Sequence, residues 1–262
     1  YQSFLLTQKI RMLQEGFGAY LLQYGYIWLS VLNLIIFLRV DYFYMPLIPG
    51  DLPWYRQLLL ESVVTGFFFL LMWLALALRR LRMVEAGPEL KEMVAEVAGR
   101  FGIKVSVVRV WRLDGVKNAF SGGLWLRSLI ISENLLNSAT WDDLRMIVGH
   151  ECAHLQKRDL WVRVGLIFGL AWLGSQFIED FEEWSWLVLL VYAVIAFVLY
   201  QFLSRYQELR ADRLAARLVG DHEAMTQALT RNFGTGLRFG PVTRLLMGHP
   251  DMAERVKRLR NM

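Results

Sequence analysis

Residues 150–154 combine two histidines and a glutamate at a spacing that suits metal-assisted hydrolysis. They read His150-Glu151-Cys152-Ala153-His154. On an α-helix, positions i and i+4 share one face, so both imidazoles can reach the same ion. Glu151 lies beside them and can take a proton from water as a general base without being a ligand. Two imidazoles and one carboxylate would complete a three-ligand zinc site with an open position for water.

The alternative is a chance match on an ordinary helix, but the context argues against it. The chain has only four histidines, and Thr140 with Asp143 resembles a capping box that starts a helix over 141–157. Apolar residues fill the first half of this helix: Leu144, Met146, Ile147 and Val148. The histidines would therefore be buried, where unpaired imidazoles are costly. Asp159 follows the helix and is interpreted as a cap of the next segment, with support of the metal site as the alternative.

Glu208 and Asp212 offer a third ligand at a second helical i, i+4 spacing. Glu208 can bind the metal while Asp212 accepts a hydrogen bond from a ligand histidine and fixes its tautomer. By themselves, such residues more often form an exposed face of ion pairs, here with Arg205 and Arg213. The metal interpretation is favoured because two apolar segments separate His154 from Glu208. If these segments form a hairpin of two membrane spans, the chain returns to the side of the membrane from which it left. Glu208 is then on the same side as His150 and His154.

Four apolar segments approach the roughly 17–25 residues that a membrane-spanning helix needs. They run over about 19–38, 62–78, 164–178 and 184–203. The chain is 55% hydrophobic and only 20% charged, which excludes a disordered chain. The alternative for each apolar segment is a buried helix of a large soluble core.

The single cysteine of the chain, Cys152, cannot form an internal disulfide. On a helix it is rotated about 200° from His150, so it is interpreted as a packing residue.

The distribution of charge supports these spans. The 262-residue chain has a net charge of +5. The segments 39–61 and 179–183 hold 2 basic and 7 acidic residues, which leaves 27 basic and 17 acidic residues for the rest of the chain. Because positive charge accumulates on the cytoplasmic side of a membrane, both termini are expected inside. The basic balance then indicates membrane topology, and no nucleic-acid partner is expected.

The stretch over 83–162 is expected to hold a small sheet together with helices. Alternating Val-rich patterns predict strands over 104–111 and 124–132. Pro88, followed by acidic residues, predicts the start of an amphipathic helix. Further helices are predicted over 203–220 and after Pro250.

Four motifs occur in order over about 116–262. They are Asn118-Ala119-Phe120 followed by Gly122-Gly123, the His-Glu-x-x-His segment, Ser204-Arg205-x-x-Glu208-x-x-Ala211-Asp212, and His249-Pro250 with Arg255. Together they resemble the membrane-integrated gluzincin metallopeptidases, the family of bacterial HtpX and the CAAX prenyl endopeptidases. The arrangement of spans is most similar to HtpX. The chain is too short for the large enclosed chamber of the prenyl endopeptidases.

The resemblance implies a role for each matching residue. One zinc ion would be bound by His150, His154 and Glu208, with Asp212 behind them. The catalytic residues would be Glu151, as general base and then general acid, and His249, as a stabiliser of the oxyanion. For His249 the alternative is an exposed residue before the last helix. Substrate backbone would bind along an edge strand at Asn118, Ala119 and Phe120. Arg255 would support the oxyanion or hold its own segment in place.

The sequence therefore predicts a multi-pass membrane protein of the α+β class, mostly α, with about four transmembrane helices and a zincin-like peptidase domain that contains a small sheet. A membrane region over 1–82 would precede a peptidase domain over 83–262, interrupted by a transmembrane hairpin. The resemblance implies a zinc-dependent endopeptidase that cleaves membrane or misfolded proteins at the cytoplasmic face of a bacterial or archaeal cell membrane, in protein quality control. Its partners would be polypeptide substrates and the lipid bilayer. The alternatives are a signalling peptidase that cuts one regulator and a catalytically silent membrane scaffold.

Overall fold

A computed structural model describes most of the chain after residue 82. The described residues are 70, 83–112, 117–122, 126–178, 185–234 and 250–261. The chain divides into two compact units, 1–84 and 85–262. The predicted spans over 19–38 and, apart from residue 70, over 62–78 lie outside the described residues, as does His249.

Within the described ranges, four short strands form one sheet. They are β1 (Met83–Glu85), β2 (Val107–Trp111), β3 (Ala119–Gly122) and β4 (Ser128–Ser132), in the order β1-β2-β4-β3. β2 and β4 run parallel, whereas β3 pairs antiparallel with β4 and places Phe120 opposite Ile130. Leu129 and Ile131 of β4 are completely buried. Among the described strands, β3 is the last in this order and pairs with β4.

Both strands predicted from the Val-rich patterns are present but shorter than predicted. The patterns extend before Val107 and Ser128, yet the ladder between β2 and β4 begins at this pair. A parallel pair can exchange hydrogen bonds only where both strands run side by side. Where the ladder begins and ends therefore depends on how β2 and β4 lie relative to each other. The sequence pattern of a single strand carries no information about its partner.

The described residues form seven helices. They are α1 (Pro88–Arg100), α2 (Glu133–Ser138), α3 (Trp141–Lys157), α4 (Asp159–Ile178), α5 (Ser185–Leu218), α6 (His222–Phe233) and α7 (Met252–Arg260). α1 begins at Pro88, as predicted. The helix predicted over 203–220 is the last part of α5, and the helix predicted after Pro250 is α7. The observed class is thus mostly helical α+β with a small sheet, in agreement with the prediction.

Helix α3 has the limits predicted for the helix over 141–157. The Thr140 hydroxyl oxygen accepts a hydrogen bond from the Asp143 N–H at 3.2 Å. At the other end, Arg158 adopts the left-handed conformation, with φ 54° and ψ 40°, and α4 begins at the next residue. α4 therefore starts at Asp159, five residues before the predicted limit of the third apolar segment. This one-residue connection places the first turn of α4 beside the last turn of α3.

Helices α3 and α5 pack closely because small residues line their contact. A Cβ added to Gly149 would lie 2.6 Å from Cγ2 of Val219 and 3.4 Å from Cβ of Ala215. One apolar cluster is shared by the four helices α3, α5, α6 and α7. It is formed by Met146, Ala215, Ala216, Met225, Ala228, Leu229 and Leu259. The backbone of α3 at the histidine motif therefore lies almost against α5.

Helices α4 and α5 contact each other and carry many exposed apolar side chains. The Tyr192 hydroxyl of α5 donates a hydrogen bond to the Leu170 carbonyl of α4. The exposed large side chains include Trp161, Phe168, Trp172, Leu190, Val194, Ile195 and Phe202. In the part of the chain that the structure describes, no helix has both the length and the apolar character needed to cross a membrane.

Candidate metal centre

Helices α3 and α5 bring the two motif histidines and Glu208 together. The Nε2 atoms of His150 and His154 lie 3.1 Å apart. Each oxygen of the Glu208 carboxylate lies 3.4 Å from one imidazole, Oε2 from Nε2 of His150 and Oε1 from Nε2 of His154. His150 and Glu208 are buried, and His154 is half-buried. Three potential metal-binding side chains therefore point at the same small volume.

These separations fit the donor set of a tetrahedral zinc ion. Zinc binds imidazole nitrogen and carboxylate oxygen at about 2.0–2.2 Å, so two donors at tetrahedral corners lie roughly 3.3–3.6 Å apart. The observed separations of 3.1 and 3.4 Å are close to that range. Two imidazoles and a carboxylate also leave one corner open for water or substrate. The three residues can thus hold a metal ion, and their types favour zinc.

Asp212 and Arg255 hold His150 on the side away from Glu208. Oδ1 of Asp212 lies 2.8 Å from Nδ1 of His150. Arg255 donates from Nε to Oδ2 of Asp212 at 2.7 Å and from Nη2 to Oδ1 at 2.6 Å. A ring that donates its Nδ1 hydrogen to Asp212 keeps the lone pair of Nε2 free for a metal. This two-pronged contact attaches α7, the segment that contains Arg255, to the carboxylate behind His150.

The same charges alter the pKa values of the buried groups. Burial has the largest single influence on His150 and lowers its pKa, but Asp212 and Glu208 together raise this pKa to about 10. Burial acts to raise the pKa of Asp212, yet Arg255 and His150 hold it at about 2, so the carboxylate is ionised at neutral pH. A cluster that favours a proton on His150 also favours a divalent cation beside it.

A second carboxylate, Asp159, lies behind His154. Its Oδ2 is 2.7 Å from Nδ1 of His154, and the guanidinium of Arg210 pairs with its Oδ1. Burial acts to raise the pKa of Asp159, but the hydrogen bonds from His154 and Arg210 bring it below its usual range. The sequence favours a capping role for Asp159, whereas its side chain contacts the imidazole. The only sequence signal for this contact is its position five residues after His154.

Two more contacts near Glu208 have no counterpart among the predicted site residues. Arg163 of α4 donates from Nε to Oε1 of Gln207, and its Nη2 lies 3.8 Å from Oε1 of Glu208. Gln207 donates in turn to the Asp159 carbonyl at 3.5 Å. The first turn of α4 is therefore attached to α5 directly beside the metal-binding side chains.

Glu151 and Cys152 follow His150 in α3, and both are buried. The negative charge of Glu151 is one of the influences that raise the pKa of Arg255 against the effect of burial. Burial, together with the charge of Glu151, raises the pKa of the Cys152 thiol to about 12. The thiol is therefore neutral at physiological pH, which agrees with its interpretation as a packing residue.

Asn118, Ala119 and Phe120 lie at the start of strand β3, and β3 contacts α3. The Asn118 backbone N–H donates to the Ser132 hydroxyl oxygen at 2.9 Å. Asn118 itself is exposed. The Phe120 ring packs edge-on against Trp111 with centroids 5.8 Å apart. The structure thus places this motif next to the histidine helix α3.

The fold and the donor set are those of a metalloprotease, and comparisons with known proteins give the family. Residues 85–262 match the family model described as Peptidase family M48. Protease HtpX of Vibrio parahaemolyticus is 30% identical, and the match covers 88% of this chain and 95% of that protein. The chain therefore belongs to peptidase family M48, the family of HtpX and the CAAX prenyl proteases, as its motifs indicated.

Two further comparisons agree with this assignment. The Protease HtpX homolog of Methanopyrus kandleri is 28% identical, and this chain spans 66% of its length. The chain in the crystal structure of S. mikatae Ste24p has 19% sequence identity to this chain. The two structures match with a TM-score of 0.61, and the match covers 88% of this chain and 62% of that chain. This last similarity shows a shared fold.

Proposed function

We propose that this chain is a zinc-dependent endopeptidase. The observation that carries the proposal is the convergence of His150, His154 and Glu208, with Glu151 next to the first histidine. A zinc ion bound by these side chains would act as a Lewis acid on the scissile carbonyl and on the attacking water. Among zinc sites, three protein ligands with an open fourth position are typical of catalysis.

Glu151 is the proposed general base and acid. Its carboxylate takes a proton from the attacking water and then delivers it to the nitrogen of the leaving amine. Asp212 holds the imidazole of His150 in place during this transfer. His249, which lies outside the described residues, is the proposed stabiliser of the oxyanion on the strength of the resemblance alone.

Strand β3 is the proposed site for substrate backbone. A peptide that pairs with β3 would extend the sheet by one strand, the usual mode of β-augmentation. Support comes from the terminal position of β3 among the described strands and from its contact with α3. Asn118, Ala119 and Phe120 would then determine how the scissile bond lies relative to Glu151.

We further propose that the enzyme acts at the cytoplasmic face of a cell membrane, on membrane or misfolded proteins, in quality control. The exposed apolar side chains of α4 and α5 and the resemblance to HtpX support this location. The lipid bilayer would cover these side chains, and the polar ends of both helices would carry the metal site.

The test compares the full wild-type chain with Glu151→Gln, using zinc analysis and cleavage of an unfolded protein. We expect the variant to retain zinc and to lose activity by about 10²–10⁴-fold, the usual contribution of a general acid–base group. Glu92→Gln, on the exposed face of α1, is the matched control and should behave as wild type. Full activity of Glu151→Gln would refute the mechanism. Zinc without any cleavage in the wild type would favour the silent scaffold, and cleavage of a single regulator would favour the signalling peptidase.

A further inference from the structure

We infer that Asp159, held by Arg210, is a positioning residue that orients His154 and thereby sets the metal affinity of the site. The inference rests on the proposed function, because it concerns the same metal-binding side chains. It adds a carboxylate from the first residue of α4 to the metal-binding side chains, which come from α3 and α5.

The Asp159 carboxylate contacts the His154 imidazole directly. Asp159 is 2% exposed, and its Oδ2 lies 2.7 Å from Nδ1 of His154. The opposite nitrogen of this ring, Nε2, faces His150 at 3.1 Å and Glu208 at 3.4 Å. A carboxylate that accepts the Nδ1 hydrogen selects the tautomer whose Nε2 lone pair is free, and it also fixes the plane of the ring. Asp159 therefore acts on His154 as Asp212 acts on His150.

Arg210 supports the Asp159 carboxylate in turn. Arg210 follows Glu208 by two residues on α5 and pairs with the other oxygen of Asp159. The Arg210 guanidinium also lies over the Tyr206 ring, 5.6 Å from its centroid. Each imidazole is thus backed by an ionised carboxylate, and each carboxylate by an arginine. A buried carboxylate without such a partner would be costly.

The backbone on both sides of Asp159 fixes its position. The left-handed conformation of Arg158 ends α3 and starts α4 within one residue. Gln207 of α5 donates to the Asp159 carbonyl at 3.5 Å. The position of Asp159 is therefore determined by three helices at once, and the orientation of His154 depends on how α4 docks on α5.

The structure contains a matched control on α3, the helix of His154. Asp143 of α3 is also buried and also pairs with an arginine, at 2.8 Å from Nη2 of Arg231. This pair lies about two turns from His150 and links α3 to α6. Removing its charge should affect folding as Asp159→Asn does, without touching an imidazole.

The experiment measures zinc affinity of the purified full chain by competition with a chromogenic chelator, together with urea unfolding of the metal-free protein. Loss of a partner of a metal-binding histidine typically weakens metal binding by about 10–100-fold. We expect Asp159→Ala to fall in this range and Asp159→Asn to lose less, because the amide oxygen still accepts a hydrogen bond. Arg210→Gln should show a smaller loss, and Asp143→Asn and Arg231→Gln should bind zinc as the wild type does.

Wild-type affinity in Asp159→Asn and Asp159→Ala would overturn the inference, and so would an equal loss in Asp143→Asn. If Asp159→Ala does not fold, the zinc affinity of Asp159→Asn alone decides whether the inference holds. A wild-type chain that binds no zinc would instead overturn the proposed function, so the two failures are distinguishable.

Discussion

Replacing Gly149 with alanine tests whether the close packing of α3 on α5 brings the metal-binding atoms together. The added Cβ would lie 2.6 Å from Cγ2 of Val219 and 3.4 Å from Cβ of Ala215. Carbon atoms pack at about 3.5–4.0 Å, so Val219 must move away by roughly 1 Å. Its β-branched side chain has few alternative rotamers, so part of this shift must come from the backbone at the end of α5.

The expected change in stability is the difference between two opposing effects. Alanine is favoured over glycine inside a helix by about 1 kcal/mol. Overpacking a tight contact costs about 1–3 kcal/mol. The free energy of unfolding of the metal-free chain should therefore fall by at most about 2 kcal/mol, and the protein should remain folded.

The effect on the metal centre should be larger than the effect on stability. Gly149 directly precedes His150, and the Glu208 oxygens of α5 lie only 3.4 Å from the imidazole nitrogens of α3. A displacement of roughly 1 Å between these helices is a large fraction of that separation. Since a misplacement of this size can reduce a rate by about 100-fold, we expect a loss of activity of that order together with weaker zinc binding.

The assay combines urea unfolding of the metal-free chain, zinc competition and peptide cleavage. Gly99→Ala is the control, because no atom lies within 4 Å of its added Cβ, and it should leave zinc binding unchanged. The double variant Gly149→Ala, Val219→Ala removes the clashing methyl group and should recover zinc affinity. If Gly149→Ala binds zinc and cleaves peptide as the wild type does, the convergence of the ligands does not depend on this contact.

Two further predictions concern neighbours of the centre. Arg255→Lys keeps the charge but loses one of the two hydrogen bonds to Asp212. It should lower the free energy of unfolding by about 1–3 kcal/mol in urea titrations, and unchanged stability would show that the two-pronged contact is unimportant. Cys152 is 0% exposed, and burial raises the pKa of its thiol to about 12. Mass spectrometry after iodoacetamide treatment should find it unlabelled in the native chain and fully labelled in concentrated guanidinium chloride; rapid native labelling would contradict its burial.

The parts of the centre that could be predicted from the sequence are those with local spacing. His150 and His154 share a helical face, as do Glu208 and Asp212, because the helix places residues i and i+4 together in any fold. The helix limits at Thr140 and Pro88 were predictable for the same reason, since caps and first-turn residues act within a few positions.

The contacts of Asp159 could not be predicted in this way. They depend on a left-handed Arg158, a conformation that favours glycine and that arginine adopts at a cost of about 1–2 kcal/mol. They also depend on Arg210, which reaches Asp159 across 51 residues of sequence. Neither the sharp turn nor the docking of α5 has a local signal, so the sequence pattern favoured a simple cap.

In the structure, both long apolar helices contribute residues to the metal centre. α4 begins at Asp159 and α5 is one continuous helix of 34 residues, about 51 Å long. α4 therefore carries Asp159 and Arg163 of the centre at its start. In α5, Glu208 lies between the exposed apolar part and the buried residues Ala215 and Ala216. Because α5 has no break between its exposed apolar part and Glu208, a metal-binding side chain lies on the same continuous helix as the part of the molecule that we propose contacts lipid.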